Sequence, residues 1–571
     1  MGLDNLCTSN SILLVLITSQ GSATHITHHL GPHPIIAHFL ERLRLAEIVR
    51  SFVGSGRVRA IEQGEALAAL VHNILDSPEP LYRIAQWAEP IEPSAFGFTS
   101  EQKRGLNDDR IARMLDAIVS ERGRGIWFRL ALEILQQFKI GRRRMHHDTT
   151  TVTFCGQYRG SVREPRITHG MNKDHRPDLK QLVFGLTVSS DGAVPINHQV
   201  HNGNRSDDTV HRGNLEELRL LLGRGDFIYV ADCKLASSDN LKEIAAHGGK
   251  FVTVLPRTRN EDKHFRARLR AAPVRWKKVL EIPNKRSEIG PPDVFYSCAA
   301  PEQTAEGFRV VWFRSSAKAA LDGATREKHL TQAQAELGLL SQRLNRRQLR
   351  SARQIRKAVR EIVERRSARS LLHVRLKRQV QQQFKRLRRG RPGAHDPVRV
   401  VRRIAWTLEV RIDEKVLRAE ERTDGVFPLA CNLDKKKYPK REVLSSYKYQ
   451  AYVEKRFSQL KTDLEVAPVY LKKPHRCAGL VHAYYVALAV SSLIERAVRQ
   501  GMKRKGIADL PLFPEMRPTK TPTCARILDA FRGVSWYEFR RGKETVCFPL
   551  KLNALQKLLL ELLEVPPRLY T

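Results

Sequence analysis

Two short stretches limit what this chain can fold into. In Arg142–Phe154, R-R-R-M-H-H-D-T-T-T-V-T-F, residues Thr149, Thr151 and Thr153 alternate with Thr150, Val152 and Phe154. β-branched residues dominate, which is strand composition. In Asp226–Cys233, D-F-I-Y-V-A-D-C, the apolar run Phe227–Ala231 fits a strand buried on both faces. Strands of that kind belong to sheets covered by helices, so an α/β fold is expected. Aspartate is disfavoured inside strands, yet Asp148 interrupts the first stretch and Asp232 closes the second. In an open α/β sheet the strand ends face a crevice where ligands bind. Either aspartate alone could equally be a turn or capping residue.

A third acid turns the pair into a set. Tyr447–Lys461, Y-K-Y-Q-A-Y-V-E-K-R-F-S-Q-L-K, reads as one helix, because Val453, Phe457, Leu460 and Leu464 recur at helical spacing. Tyr447, Glu454 and Lys461 lie seven residues apart each time, so they share one face, drifting by ~20° per heptad. A solvated helix face would show the same spacing. With two strand-borne aspartates ahead of it, the carboxylate is better read as a metal ligand, with the phenol and ammonium beside it gripping phosphate.

These residues resemble a family. The spacing Tyr447, Gln450, Glu454, Lys461 is that of the Tyr-Arg-Glu-Lys motif in DDE transposases of bacterial insertion sequences, with Gln450 where the family has arginine. The stretches T-H-G-M-N-K-D-H-R-P-D-L-K-Q (168–181), H-N-G-N-R-S-D-D (201–208), D-G-V-F-P-L-A-C-N (424–432) and L-D-S-P-E-P-L-Y-R-I-A-Q-W-A (75–88) resemble the insertion-sequence sixteen-thirty-four branch. The resemblance covers roughly residues 30 to 571. It implies an RNase H-like catalytic core, with Asp148, Asp232 and Glu454 holding two divalent ions, magnesium or manganese. It further implies nicking at the element's inverted repeats and attack of the freed 3′-hydroxyl on target DNA. Double-stranded DNA is the expected partner, a homodimer the expected form on DNA, and a bacterial cytoplasm, at the nucleoid, the expected location. An RNase H-like nuclease that never joins strands, and an inactive or domesticated DNA-binding protein, remain the alternatives.

Charge supports a polyanionic partner independently. The chain carries 99 Lys and Arg against 60 acids, a formal charge of +39. No cysteine pair has metal-site spacing, and scattered single cysteines suit a reducing compartment. The apolar run Ile12–Ile17 is too short for a membrane span and has no basic start. No membrane association is expected.

Six segments are expected. Residues 1–29 are an unassigned tail, and 30–140 an N-terminal helical domain that could bind DNA ends, although its 14 basic and 14 acidic residues give no charge support. Residues 141–255 form the first half of the core, in β-β-β-α-β-α-β order. In the loop between its first two strands, Lys173, His175 and Arg176 are candidate backbone contacts. His146 and His147 read as structural, because neighbours on a strand point to opposite faces. Residues 256–423 are an inserted domain, 424–500 the second half of the core, and 501–571 a C-terminal helical segment. Within the insertion, Arg343–Arg391 holds 19 basic residues and two acids, a run expected to be helical and to bind DNA backbone. Arg346, Arg350, Arg353 and Lys357 would form one face of that helix.

Overall fold

The computed structural model describes residues 24–54, 60–158, 165–206, 209–283, 290–300, 303–346, 349–387, 389–391, 393–395, 397–466, 469, 471–541 and 544–570. The apolar run at 12–17 and the last two residues of the 201–208 motif lie outside them. The protein is a mixed α/β chain of two compact units, Met1–Val252 with Ser445–Thr571, and Thr253–Leu444.

The first unit begins with strand β1 (Thr24–His29) and helices α1 (His33–Arg42), α2 (Leu45–Val53), α3 (Gln63–Asp76), α4 (Ile84–Ala88), α5 (Ser100–Arg104), α6 (Asp108–Ile118) and α7 (Arg124–Gln137). Asn107 caps α6 by accepting from the Arg110 amide at 2.8 Å, as the sequence suggests. There follow β2 (Arg144–Phe154), β3 (Lys180–Ser189), β4 (Pro195–Asn202), α8 (Val210–Leu222), β5 (Ile228–Ala231), α9 (Ser238–Ala246) and β6 (Lys250–Val254). Their spatial order is β4-β3-β2-β5-β6. β2–β3 and β3–β4 are antiparallel, whereas β2–β5 is parallel. The expected β-β-β-α-β-α-β order is present.

After the second unit come α14 (Lys440–Lys448), α15 (Ala451–Thr462), α16 (Pro474–Lys505), α17 (Cys524–Asp529), β13 (Ser535–Arg541), β14 (Glu544–Phe548) and α18 (Ala554–Leu563). Helix α16 is long and apolar enough to cross a membrane, yet 94% of its apolar window is buried inside the protein. It packs on α1, α3, α6, α18 and β4 as a core helix. Gly479 lets it approach α6, since a Cβ there would meet the Leu115 carbonyl at 2.9 Å.

Two expectations about the ends fail. Residues 24–29 are a strand rather than tail, and 501–571 are not purely helical, because β1, β13 and β14 form a three-stranded sheet. The strands S-W-Y-E-F-R-R and E-T-V-C-F carry the aromatic and β-branched residues a sheet favours.

The second unit holds α10 (Asn260–Ala271), β7 (Lys277–Ile282), β8 (Asp293–Ser297), β9 (Arg309–Ser315), α11 (Ser316–Gln342), α12 (Ala352–Arg365), β10 (Leu372–Arg386), β11 (Val398–Ile412), α13 (Glu414–Glu421) and β12 (Val426–Cys431). Strands β12-β9-β8-β7 run antiparallel side by side. The heptad-like seam Leu330, Ala333, Leu337 and Leu340 of α11 packs with Val363 of α12 and Leu372 of β10 into a core of its own. The basic run is not one helix. It breaks after α11, where Asn345 takes φ +65°, resumes as α12, and becomes a strand from Leu372. Arg346 and Arg350 precede the Ser351 cap of α12, so they share no helix face with Arg353 and Lys357.

Candidate active site

Asp148 lies within β2, and Asp232 directly follows β5, the parallel neighbour of β2. Parallel pairing matches Arg144 with Ile228, Met145 with Tyr229 and His146 with Val230. The paired register ends there; Asp148 lies two residues further along β2, and Asp232 two residues past Val230, just beyond the end of β5. Asp148 Oδ1 accepts from its neighbour's amide, Thr149 N, at 2.7 Å. Asp232 Oδ1 accepts from Lys234 N at 3.0 Å and caps the short turn Cys233–Ala236. Capping is thus part of what Asp232 does.

Tyr447 and Glu454 are not on one helix. α14 ends at Lys448, and the bonds tighten at Gln450 N to Tyr447 O and Tyr452 N to Tyr449 O, both 2.9 Å. Glu454 and Lys461 do share a helix, α15. Burial pushes the half-buried Tyr447 phenol up, and the nearby charges of Asp232, Cys233, Glu454 and Asp148 push it further. Glu454 itself is exposed. Among the described residues, no three His, Cys, Asp or Glu side chains are grouped to hold one ion.

An ammonium sits at this acidic corner. Lys173 Nζ donates to Thr149 O at 2.6 Å and Thr149 Oγ1 at 2.9 Å, and lies 3.8 Å from Asp148 Oδ1. Its loop is pinned by the two glycine motifs. Gln181 and Thr168 exchange backbone bonds of 2.9 and 3.2 Å, Gln181 Nε2 donates to Gly203 O at 2.7 Å, and Gly170 lies so close to Gly203 that a Cβ would be 2.1 Å from its carbonyl. Side chains at either glycine would drive this loop off β2. Lys461 reaches the same loop, pairing with Asp174 at 2.6 Å. His175, at φ +57°, is exposed, and Arg176 is engaged by Asp178 through bonds of 2.9 and 2.7 Å.

Gln450 is no surface contact. Only 6% exposed, it donates to His147 O at 2.7 Å, while its Oε1 lies 3.3 Å from His146 Nδ1. It therefore fastens the start of α15 to β2 beside Asp148, which corrects the expectation that it touches DNA. Nor does Arg456 replace the missing arginine: it is buried, paired with Glu495 at 3.0 Å, and donates to Ala193 O and Gly192 O.

Both histidines before Asp148 are buried and structural, as expected. Burial pulls His146 down to about 4. His147 is likewise held neutral by burial. It opens a buried polar chain that the sequence reading missed: His147 to Thr187 at 3.0 Å, Thr187 to Asn214 at 3.1 Å, and Asn214 to Tyr229 at 2.9 Å. The legible signal was His211 and Asn214, three apart, on the otherwise apolar face of α8.

The two remaining motifs serve packing. Asp424 grips Arg326 through two bonds of 2.7 Å, and Trp87 packs edge-on to His33 at 5.7 Å. The expected DNA contacts Arg346, Arg350, Arg353 and Lys357 are exposed, with Lys357 4.0 Å from Glu361.

Residues 24–132 match the model of a family described as a domain of unknown function, DUF4277. No curated protein matches the chain. Among solved structures, a piggyBac transposase synaptic complex with hairpin DNA aligns over 51% of this chain and 63% of that chain, at 14% identity and a TM-score of 0.27. The chain thus spans less than two thirds of that transposase chain. A likeness this loose carries no argument about the site.

Proposed function

We propose that the chain is a DDE-type transposase, of the insertion-sequence branch its motifs resemble, with Asp148, Asp232 and Glu454 as its catalytic carboxylates. What supports the reading is that β2 and β5 are parallel neighbours, with Asp148 within the first and Asp232 directly after the second. Glu454 lies within electrostatic reach of the phenol both aspartates influence. A charge of +39 suits a nucleic-acid substrate.

The donor chemistry fits a divalent ion: carboxylate oxygens are hard ligands that suit magnesium or manganese. Asp148, Asp232 and Glu454 would hold it, although the three do not close on one point as they stand. Two such ions, when bound, would supply an activated hydroxyl and a stabilised leaving oxygen. The chain's own residues orient the strand. Lys173 holds its ammonium 3.8 Å from Asp148, balancing the carboxylates and offering a cation to a phosphate. Tyr447, half-buried with its proton retained, donates a hydrogen bond to a phosphate oxygen. Lys461 exchanges Asp174 for DNA.

The test is a joining assay. Purified chain is mixed with a duplex bearing the inverted repeats that flank its gene, plus supercoiled target and magnesium. Covalent joining of the duplex end to the target is expected. Hydrolysis without joining makes the protein a nuclease, and neither product makes it a binding protein.

A further inference from the structure

The second unit carries an arm. β10 and β11 pair antiparallel over fifteen residues each, from Leu372 opposite Ile412 to Arg386 opposite Val398. Only its base is packed. Leu372, Val374, Leu408, Val410 and Ile412 lie against the α11–α12 core. The packed part ends at Trp406, whose amide donates to Asn345 Oδ1 at 2.7 Å and whose indole donates to Arg350 O at 3.0 Å. Beyond it, eight residue pairs extend for roughly 27 Å at the usual strand rise. Almost every residue of that part is exposed.

The free part has two unlike faces, fixed by the register. One presents Gln379, Gln381, Gln383 and Lys385, with Arg403 opposite Gln381 and Arg399 opposite Lys385. The other presents Val380, Phe384, Val398, Val400 and Ile404, which are 46–66% exposed, with Gln382, Arg386 and Arg402 among them. From residue 378 to 405 there are nine Lys or Arg against one acid. A solvated arm needs no such excess, because like charges along a ribbon repel.

We propose that this ribbon lies in the major groove of duplex DNA, with its amide and guanidinium face toward the base edges. The inference rests on the transposase reading for its choice of polyanion and goes beyond it by naming the element and the groove. A two-stranded ribbon fits the B-form major groove, about 12 Å wide, whereas the A-form groove of RNA is too narrow. Glutamine matches the adenine edge and arginine the guanine edge. The excess of cations complements the phosphates on either side. This replaces the expectation of a basic helix gripping backbone alone.

The test uses full-length protein in EDTA, so that binding is read without cleavage, on 40-bp duplexes of random and of inverted-repeat sequence. Lys385→Gln with Arg399→Gln and Arg403→Gln should weaken binding to both duplexes at least tenfold and flatten the log-affinity against log-salt slope by about 2–3. Gln379→Ala with Gln381→Ala and Gln383→Ala should flatten the sequence preference of duplexes selected from a random pool while leaving that slope in place. Guanine N7 methylation, in the major groove, should interfere with binding where adenine N3 methylation does not. All these positions are exposed, so circular dichroism should match wild type. Unchanged affinity and slope in the cation triple, or no N7 interference, overturns the proposal. So does a Phe384→Ser variant that loses self-association while duplex binding stays intact, which would make the ribbon a contact between copies. Failure here leaves cleavage by the carboxylates intact, whereas failure of the transposase reading leaves duplex binding without joined product.

Discussion

Replacing Gln450 tests the joint that holds α15 to β2. Leucine at this position keeps similar volume but removes the 2.7 Å bond to His147 O and the 3.3 Å contact with His146 Nδ1. Both partners are buried, His146 completely. A lost buried hydrogen bond costs about 1 kcal/mol net, and stranding a buried donor adds roughly 1–3 kcal/mol. Gln450→Leu should therefore destabilise the joint by about 2–4 kcal/mol. Arginine, the residue of the related motif, should do worse, because it sets a cation beside an imidazole that burial already keeps neutral, at about 4. An uncompensated buried charge costs on the order of 3–5 kcal/mol. Hydrogen exchange of residues 145–152 and 451–462 reads the effect locally, which suits a protein of two units. Gln450→Leu should accelerate exchange there by roughly 30-fold to 1,000-fold, and Gln450→Arg should not raise duplex affinity. If Gln450→Arg exchanges as wild type and binds duplex more tightly, the residue faces phosphate and the joint is misread.

Gly203→Ala should displace the 168–181 loop, because its Cβ would meet Gln181 O at 2.0 Å and Thr168 O at 2.5 Å; cleavage should fall with far-UV dichroism unchanged, and wild-type cleavage would separate the loop from the site. Arg456→Met leaves buried Glu495 with only the 3.3 Å pair to Arg499 and the Cys524 amide and should cost on the order of 3–5 kcal/mol in denaturant titration, with Glu495→Gln restoring part of it. If the single and double variants unfold alike, the pair is not coupled. Burial holds His33 at about 3 and His146 at about 4, below the usual 6.5 of an unfolded chain, so their contribution is full above pH 6.5 and is lost as pH falls toward 4. They are worth at most roughly 5 and 3 kcal/mol respectively, and a denaturation midpoint flat from pH 7 to 4.5 would contradict it.

The strands bearing Asp148 and Asp232 were legible because β-branched alternation and a short apolar run are local signals. Their side-by-side register was not, since it depends on pairing between residues some 80 positions apart. The break between α14 and α15 was hidden because the apolar stripe starts only at Val453, beyond it, and at the break sits a buried glutamine bonded to another strand. Lys173 was legible as a cation for phosphate, but its 3.8 Å approach to Asp148 was not, because it depends on how the loop folds back on β2. Only half of the ribbon was legible: V-R-V-V-R-R-I-A-W-T-L-E-V-R-I places apolar Ile404, Trp406, Leu408, Val410 and Ile412 two apart, which reads as a strand from Ile404 to Val410. Charge density in the preceding segment drew the reading toward a helix, and only the strand opposite, with its Gln-rich face, reveals the pairing.

The most direct measurement compares Asp148→Asn, Asp232→Asn and Glu454→Gln with wild type in magnesium-dependent end cleavage, alongside duplex affinity in EDTA. Each substitution removes one carboxylate charge with little change in volume. Cleavage should be abolished in all three while duplex affinity stays nearly intact. Wild-type-like cleavage by any one of them would remove that residue from the site and contradict the three-carboxylate account.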